Sequence, residues 1–133
     1  SIDDAVDTVF AAAHMSMPGD IFVPNIPSAL MTHVARAMIR DRNIEIAYTG
    51  IRPGEKLHEV MISEEEAPRT SLKESWYAIH PMLPELAGHL TKPGVLQRQL
   101  SSEDCIMTYE ATVALLGRNG MIDDAANSTF TRD

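Results

Sequence analysis

Thr49-Gly50-Ile51-Arg52-Pro53-Gly54-Glu55-Lys56-Leu57-His58-Glu59 decides how this chain is read. It sets an arginine, a proline–glycine pair and a glutamate within four residues. Pro53 fixes its own φ at about −65° and biases Arg52 toward an extended backbone. Gly54 allows a tight bend and leaves no Cβ to obstruct an approaching ligand. A helix opening at Glu55 would add free N–H groups beside the bend. Arg52 can pair bidentately with phosphate oxygens, and Glu55 can accept from the paired hydroxyls of a ribose. The plainer alternative is a strand-to-helix turn closed by an Arg–Glu surface pair, worth ~0–1 kcal/mol. The four residues of the turn do not choose between the two.

Outward from the turn, the chain alternates helices and short strands. Ile2, Ala5, Val6, Val9, Phe10 and Ala13 recur at helical spacing and predict a helix over 2–15. Ser1 is its expected N-cap, with Asp3 and Asp4 in the first turn. Pro18-Gly19 breaks it. Asp20–Asn25 reads as a strand, with Pro24 at its end or on an edge. Ser28 caps a second helix reaching about Arg42, with Leu30, Met31, Val34, Ala35, Met38 and Ile39 on one face. Glu45–Thr49 reads as a strand entering the turn, and Glu55 to about Ile62 as a short helix leaving it. Glu64–Glu66 is an acidic loop, and Leu72–Ile79 a third strand around Trp76 and Tyr77. Pro81, Pro84 and Pro93-Gly94 predict loops and short helices over 80–100. Thr108 caps a last helix, with Tyr109, Val113, Leu115 and Leu116 as apolar positions and Gly117 at its end. Residues 119–133 read as a polar tail.

The chain has 133 residues, 44% hydrophobic and 23% charged, the composition of one soluble domain. A net charge of -8 argues against nucleic acid, which asks for a basic face. It leaves room for an anionic small ligand at a local arginine. No apolar run approaches the ~18–20 residues that span a bilayer. The lone Cys105 allows no internal disulfide and fits a reducing, cytoplasmic setting; it is expected as a buried structural thiol. His14, His33, His58, His80 and His89 show no ligand spacing and are expected as surface or packing residues. His58-Glu59 opens like a zinc helix, but Ile62 stands where the second histidine is needed. No metal is expected. A start at Ser1, inside a predicted helix and with no signal peptide, hints at a piece of something longer.

Thr49–Glu59, its continuation Val60-Met61-Ile62-Ser63 and the following Glu66-Ala67-Pro68-Arg69-Thr70 closely resemble a signature of extended short-chain dehydrogenase/reductases. The subgroup is that of bacterial polysaccharide-biosynthesis enzymes, the UDP-N-acetylglucosamine 4,6-dehydratases and related capsular epimerases. Asp3-Asp4-Ala5-Val6, then Gly19-Asp20-Ile21-Phe22-Val23-Pro24, then Ile26-Pro27-Ser28 resemble the C-terminal half of the same family. The resemblance is specific over 1–75, weak over 76–117 and absent in the tail. It implies that Arg52 contacts the pyrophosphate of a nucleotide sugar and that Glu55 contacts its ribose. Lys56 and Arg69 lie in the matching block and are read as solvated surface charges. The resemblance also implies NAD(P), held by an N-terminal Rossmann domain with a glycine-rich loop, and a Tyr-x-x-x-Lys pair. This sequence has neither Gly-x-x-Gly-x-x-Gly nor Gly-x-Gly-x-x-Gly. Four residues beyond Tyr48, Tyr77 and Tyr109 stand Arg52, Pro81 and Val113. No cofactor site and no catalytic residue are therefore expected in this chain; NAD(P) belongs with a full-length enzyme.

The expected fold is α/β: the small C-terminal lobe of an extended short-chain dehydrogenase/reductase, short strands with several helices and no Rossmann domain. It occupies residues 1–118, with the tail at 119–133. The expected function is the UDP-sugar-binding portion of a polysaccharide-biosynthesis dehydratase or epimerase, inactive alone. The alternative, from another class, is a stand-alone truncated relic or mobile-gene product that oligomerises as a non-enzymatic binding protein. The partners implied are UDP or a UDP-sugar, and either a missing Rossmann domain or further copies of the chain. Such an isolated lobe would expose apolar surface, and either self-associate through that face or rearrange its helices to cover it, the helix over 2–15 moving first.

Overall fold

Asp20 closes the bend that follows the first helix. In the computed structural model, which describes residues 2–87 and 94–122, α1 runs Ile2–Met15. The Asp20 carboxylate then accepts from the Met17 N–H (3.0 Å), and the Asp20 N–H donates to Met17 O (3.0 Å). The chain turns directly into β1 (Ile21–Pro24). β1 is one edge of a three-stranded antiparallel sheet ordered β1-β4-β3, where β3 is Thr70–Lys73 and β4 is Trp76–Ile79. Pro24 sits last on that edge strand, as expected.

The single strand expected over Leu72–Ile79 is in fact the β3–β4 hairpin. Lys73 pairs with Trp76, and Glu74-Ser75 makes the two-residue reversal, with Glu74 at φ 54°. A left-handed first turn residue matches the twist of paired strands, but glutamate gives no sequence cue for it. A second antiparallel pair joins β2 (Val60–Ile62) to β5 (Leu100–Ser101).

Two expectations around the Arg52 turn fail. Glu45–Thr49 forms no strand; residues 43–52 have no regular structure. Apolar–polar alternation makes a strand only where a ladder partner exists, and these residues have none among the described strands. The helix expected from Glu55 is absent as well. Glu59 instead exchanges bonds with the β5 side of the chain, accepting at its carbonyl from the Ser102 N–H (2.9 Å) and donating to Ser102 Oγ (3.1 Å). Val60 and Ile62, both β-branched, then pair with β5.

The chain divides into two units, Ser1–Pro27 with Lys56–Cys105, and Ser28–Glu55 with Ile106–Asp133. In the first, Ile62, Ala67, Ala78 and Ile79 are buried; a fully buried isoleucine stabilises by about 1.5–3 kcal/mol. Buried Thr70 satisfies its hydroxyl on Glu66 O (2.8 Å). α3 (Pro84–Ala87) is a single turn in the proline-rich stretch.

The α1 surface in this unit runs against the usual arrangement. No α1 residue is buried, and its apolar stripe faces solvent, with Ile2 83% and Phe10 68% exposed. The helix is tied to the sheet by polar bonds instead. Trp76 Nε1 donates to Thr8 Oγ1 (3.3 Å) and Lys73 Nζ to Met15 O (2.9 Å).

In the second unit α2 (Met31–Ile39) packs against α4 (Tyr109–Arg118) around Ala37, Thr112 and Leu116. His33 meets Tyr109 edge to face at 5.8 Å. Leu30, not Ser28, is the α2 N-cap. Ser28 is drawn away by a parallel bridge to Ile106, its carbonyl accepting from the Met107 N–H (2.8 Å). α2 ends before Arg40, which has φ 54°. The Arg42 guanidinium folds back to cap it, donating to the carbonyls of Ile39 and Met38. Thr108 caps α4 as expected, its Oγ1 accepting from the Ala111 N–H (3.2 Å). Ser1 and residues 123–133 of the expected tail lie outside the described residues.

Candidate functional site

Pro53 and Gly54 do what their covalent geometry dictates. The Glu55 N–H donates to Arg52 O (3.1 Å) across them, and Gly54 has φ +87°. That is a type II turn, with proline at its second position and a left-handed glycine at its third. The Glu55 carboxylate reaches back across the turn and accepts from the Arg52 N–H (2.9 Å). Its other oxygen stands 3.9 Å from Arg52 Nε. The structure thus brings the two expected site residues onto one corner. Their side chains are 79% and 53% exposed, so the ion pair between them is a loose, hydrated one that a ligand could displace.

The neighbouring charges divide. Lys56 pairs with Glu59 at 3.5 Å in solvent, as read from the sequence. Arg69 is not a solvated charge. Its guanidinium donates to His80 O and lies 3.8 Å from Glu66, largely covered. Glu66 is more than a loop residue too. Hydrogen bonds from the Ser63 N–H (2.9 Å) and Oγ (2.7 Å), with Arg69 nearby, hold its carboxyl below the usual glutamate range despite partial burial.

Sequence reasoning missed a connected polar cluster around Asp20. Asp20, with a fully buried side chain, accepts from His80 Nδ1 at 2.6 Å and from Lys73 Nζ at 3.3 Å. On the other side of the ring, His80 Nε2 is 2.8 Å from Ser71 Oγ. Burial pushes the Asp20 carboxyl up. The bonds from Met17, His80 and Lys73 outweigh it and hold the group below the usual aspartate range. The register explains the meeting. Ile21 opposes Ile79, so the residues just outside that pair, Asp20 and His80, also face each other, and Ser71 is diagonal to His80 on the third strand. The hairpin register that brings them together has no cue in the sequence, because the reversal falls on Glu74-Ser75.

Both sheets are antiparallel, so they contain no βαβ crevice, and the sequence has no glycine-rich loop. Tyr48 and Arg52 lie in an irregular segment, not one helical turn apart. Among the described residues, no group of three His, Cys, Asp or Glu side chains is placed to hold a metal ion. No described helix is long and apolar enough to cross a membrane.

A family model described as polysaccharide biosynthesis protein matches residues 1–81. The chain belongs to this family. A UDP-N-acetylglucosamine 4,6-dehydratase (inverting) of Campylobacter jejuni is 40% identical over 83 residues, 62% of this chain and 24% of that enzyme. A UDP-glucose 4-epimerase of Rickettsia massiliae is 36% identical over 81 residues, 59% of this chain and 24% of that enzyme. The chain spans about a quarter of the length of these curated relatives. The extended dehydratase–epimerase family expected from Thr49–Glu59 is thus the one found. The X-ray structure of Pen from Bacillus thuringiensis shares the fold, with a TM-score of 0.74 at 18% identity over 91% of this chain and 38% of that one. At that identity the likeness shows a shared fold, an α/β lobe of short strands and helices.

Proposed function

We propose that this chain supplies one wall of a nucleotide-sugar site in polysaccharide biosynthesis, with Arg52 on the diphosphate and Glu55 on the ribose hydroxyls. The observation that carries the reading is the type II turn, which presents both side chains to solvent from one fixed corner. The family match over residues 1–81 spans that turn, and the names of two relatives specify UDP-N-acetylglucosamine and UDP-glucose. The chain binds without turning over: its own residues offer no dinucleotide cradle and no tyrosine–lysine pair. Its setting in this reading is the cytoplasm. Calorimetry with UDP tests it. Saturable binding that Arg52→Ala weakens at least tenfold, a loss of ~1.4 kcal/mol, supports it. Absent binding, or binding indifferent to Arg52→Ala, removes it. Turnover of UDP-N-acetylglucosamine with NADP by the pure chain would overturn the non-catalytic part.

The second reading, a non-enzymatic homo-oligomer, is favoured by one observation: the exposed stripe of Ile2, Val6, Val9 and Phe10 on α1. Contiguous apolar surface of this kind marks an interface more often than bare surface. Sedimentation of the wild-type chain against Phe10→Asp decides it. A monomer at micromolar concentration in both ends that reading.

A further inference from the structure

A cleft of about 500 Å³ lies within the first unit, among α1, the end of β1 and the tip of the β3–β4 hairpin. Asp4, Asp7 and Thr8 form one wall, Asn25 another, and Ser75 with Trp76 the third. Its volume is that of a small-molecule site. Its walls are bonded to one another. Trp76 Nε1 donates to Thr8 Oγ1 (3.3 Å), Thr8 Oγ1 donates to Asp4 O (2.9 Å), and the Asn25 N–H donates to Ser75 O (3.1 Å). With its N–H already engaged, the half-buried indole presents an apolar plate held in place, which lowers the ordering cost of binding.

The chemistry of the lining selects among ligands. No lysine, arginine or histidine borders the cleft, and two carboxylates do. A phosphate would enter against like charge, so the occupant differs from the diphosphate assigned to Arg52. Around the plate stand carboxylate, amide and hydroxyl groups, which accept from closely spaced hydroxyls and donate in return. A pyranose ring has that duality, with C–H bonds on its face and hydroxyls on its edge.

We infer that the Asp7–Asn25–Trp76 cleft binds an unphosphorylated sugar ring, stacked on Trp76 with its edge hydroxyls on Asp7 and Asn25. This goes beyond the nucleotide-sugar reading and does not depend on it, because the cleft shares no residue with the Arg52–Glu55 turn.

Trp76 is the chain's only tryptophan, so its emission reports this cleft. The full chain is titrated with N-acetylglucosamine, glucose, choline chloride and inorganic phosphate. The expected result is a saturable change with at least one sugar and none with phosphate. Asp7→Asn and Asn25→Ala, both at exposed positions, should each weaken it about tenfold with the melting temperature unchanged. By calorimetry Trp76→Phe, which keeps a plate, retains binding, and Trp76→Ala loses it. A flat response to both sugars overturns the proposal. So does choline saturating at lower concentration than either sugar, since the site is then a cation cage on an aromatic face. A sugar response that survives both Asp7→Asn and Asn25→Ala also overturns it.

Discussion

Asp20 and Glu55 begin alike and end differently. Each carboxylate accepts the backbone N–H three residues before it, Met17 for Asp20 and Arg52 for Glu55, and so closes a tight loop. Glu66 on Ser63 and Asp104 on Ser101 repeat the device. What separates the first two is what lies beyond the loop. The Asp20 side chain is fully buried, and His80 and Lys73 also bond to it. Among the described residues Glu55 meets Arg52 alone, and its side chain is half exposed. The same local bond therefore serves a structural centre in one place and a displaceable corner in the other. Burial, not motif, decides which.

Five experiments test that contrast, beginning with the largest expected effect and ending with the smallest. Asp20→Ala strands His80 and Lys73 around an empty position and is expected to cost about 3 kcal/mol in urea unfolding; a loss below ~1 kcal/mol would make the network a bystander. Acid acts on the same group. Its carboxyl titrates lower folded than unfolded, so the stabilisation is complete above about pH 5. It is lost as pH falls through the ordinary aspartate value toward the folded one. In Asp20→Asn this acid limb of the stability curve should shrink. Ser71→Ala removes one bond from the His80 ring and is expected to cost about 1 kcal/mol.

Gly54→Ala tests the exposed corner. A Cβ there meets nothing within 4 Å, so the strain is purely that of a left-handed alanine, about 1–2 kcal/mol. Because the corner supports no core, that strain should appear as faster hydrogen exchange at Glu55 more than as a lower midpoint. Arg52→Ala gives the smallest change in stability, under ~0.5 kcal/mol. A larger loss would mean that the corner is structural after all.

Local signals carried well from sequence to structure. The boundaries of α1, β1 and α4 follow from Pro18-Gly19, Pro24 and Thr108, each acting on its immediate neighbours. The Arg52–Glu55 turn was legible for the same reason. What failed was non-local. Glu74-Ser75 reverses the chain without glycine or asparagine, so the hairpin was hidden, and with it the Asp20–His80 register. Glu45–Thr49 alternates like a strand but finds no partner. The family model ends at residue 81 while the likeness to Pen covers 91% of the chain. An apolar pattern tolerates substitutions that erase sequence identity well before they erase a fold.

The two polar ties of α1 set how that helix comes loose. Packing against a core weakens gradually as a helix slides or tilts, because area is shed a little at a time. Thr8 on Trp76 (3.3 Å) and Met15 on Lys73 (2.9 Å) are directional bonds seven residues apart. Such bonds hold fully or not at all. The helix is therefore latched rather than glued. A change that frees Lys73 from Met15 leaves the C-terminal end of α1 held by the Met17–Asp20 bend, with Trp76 as the side-chain tie to the hairpin.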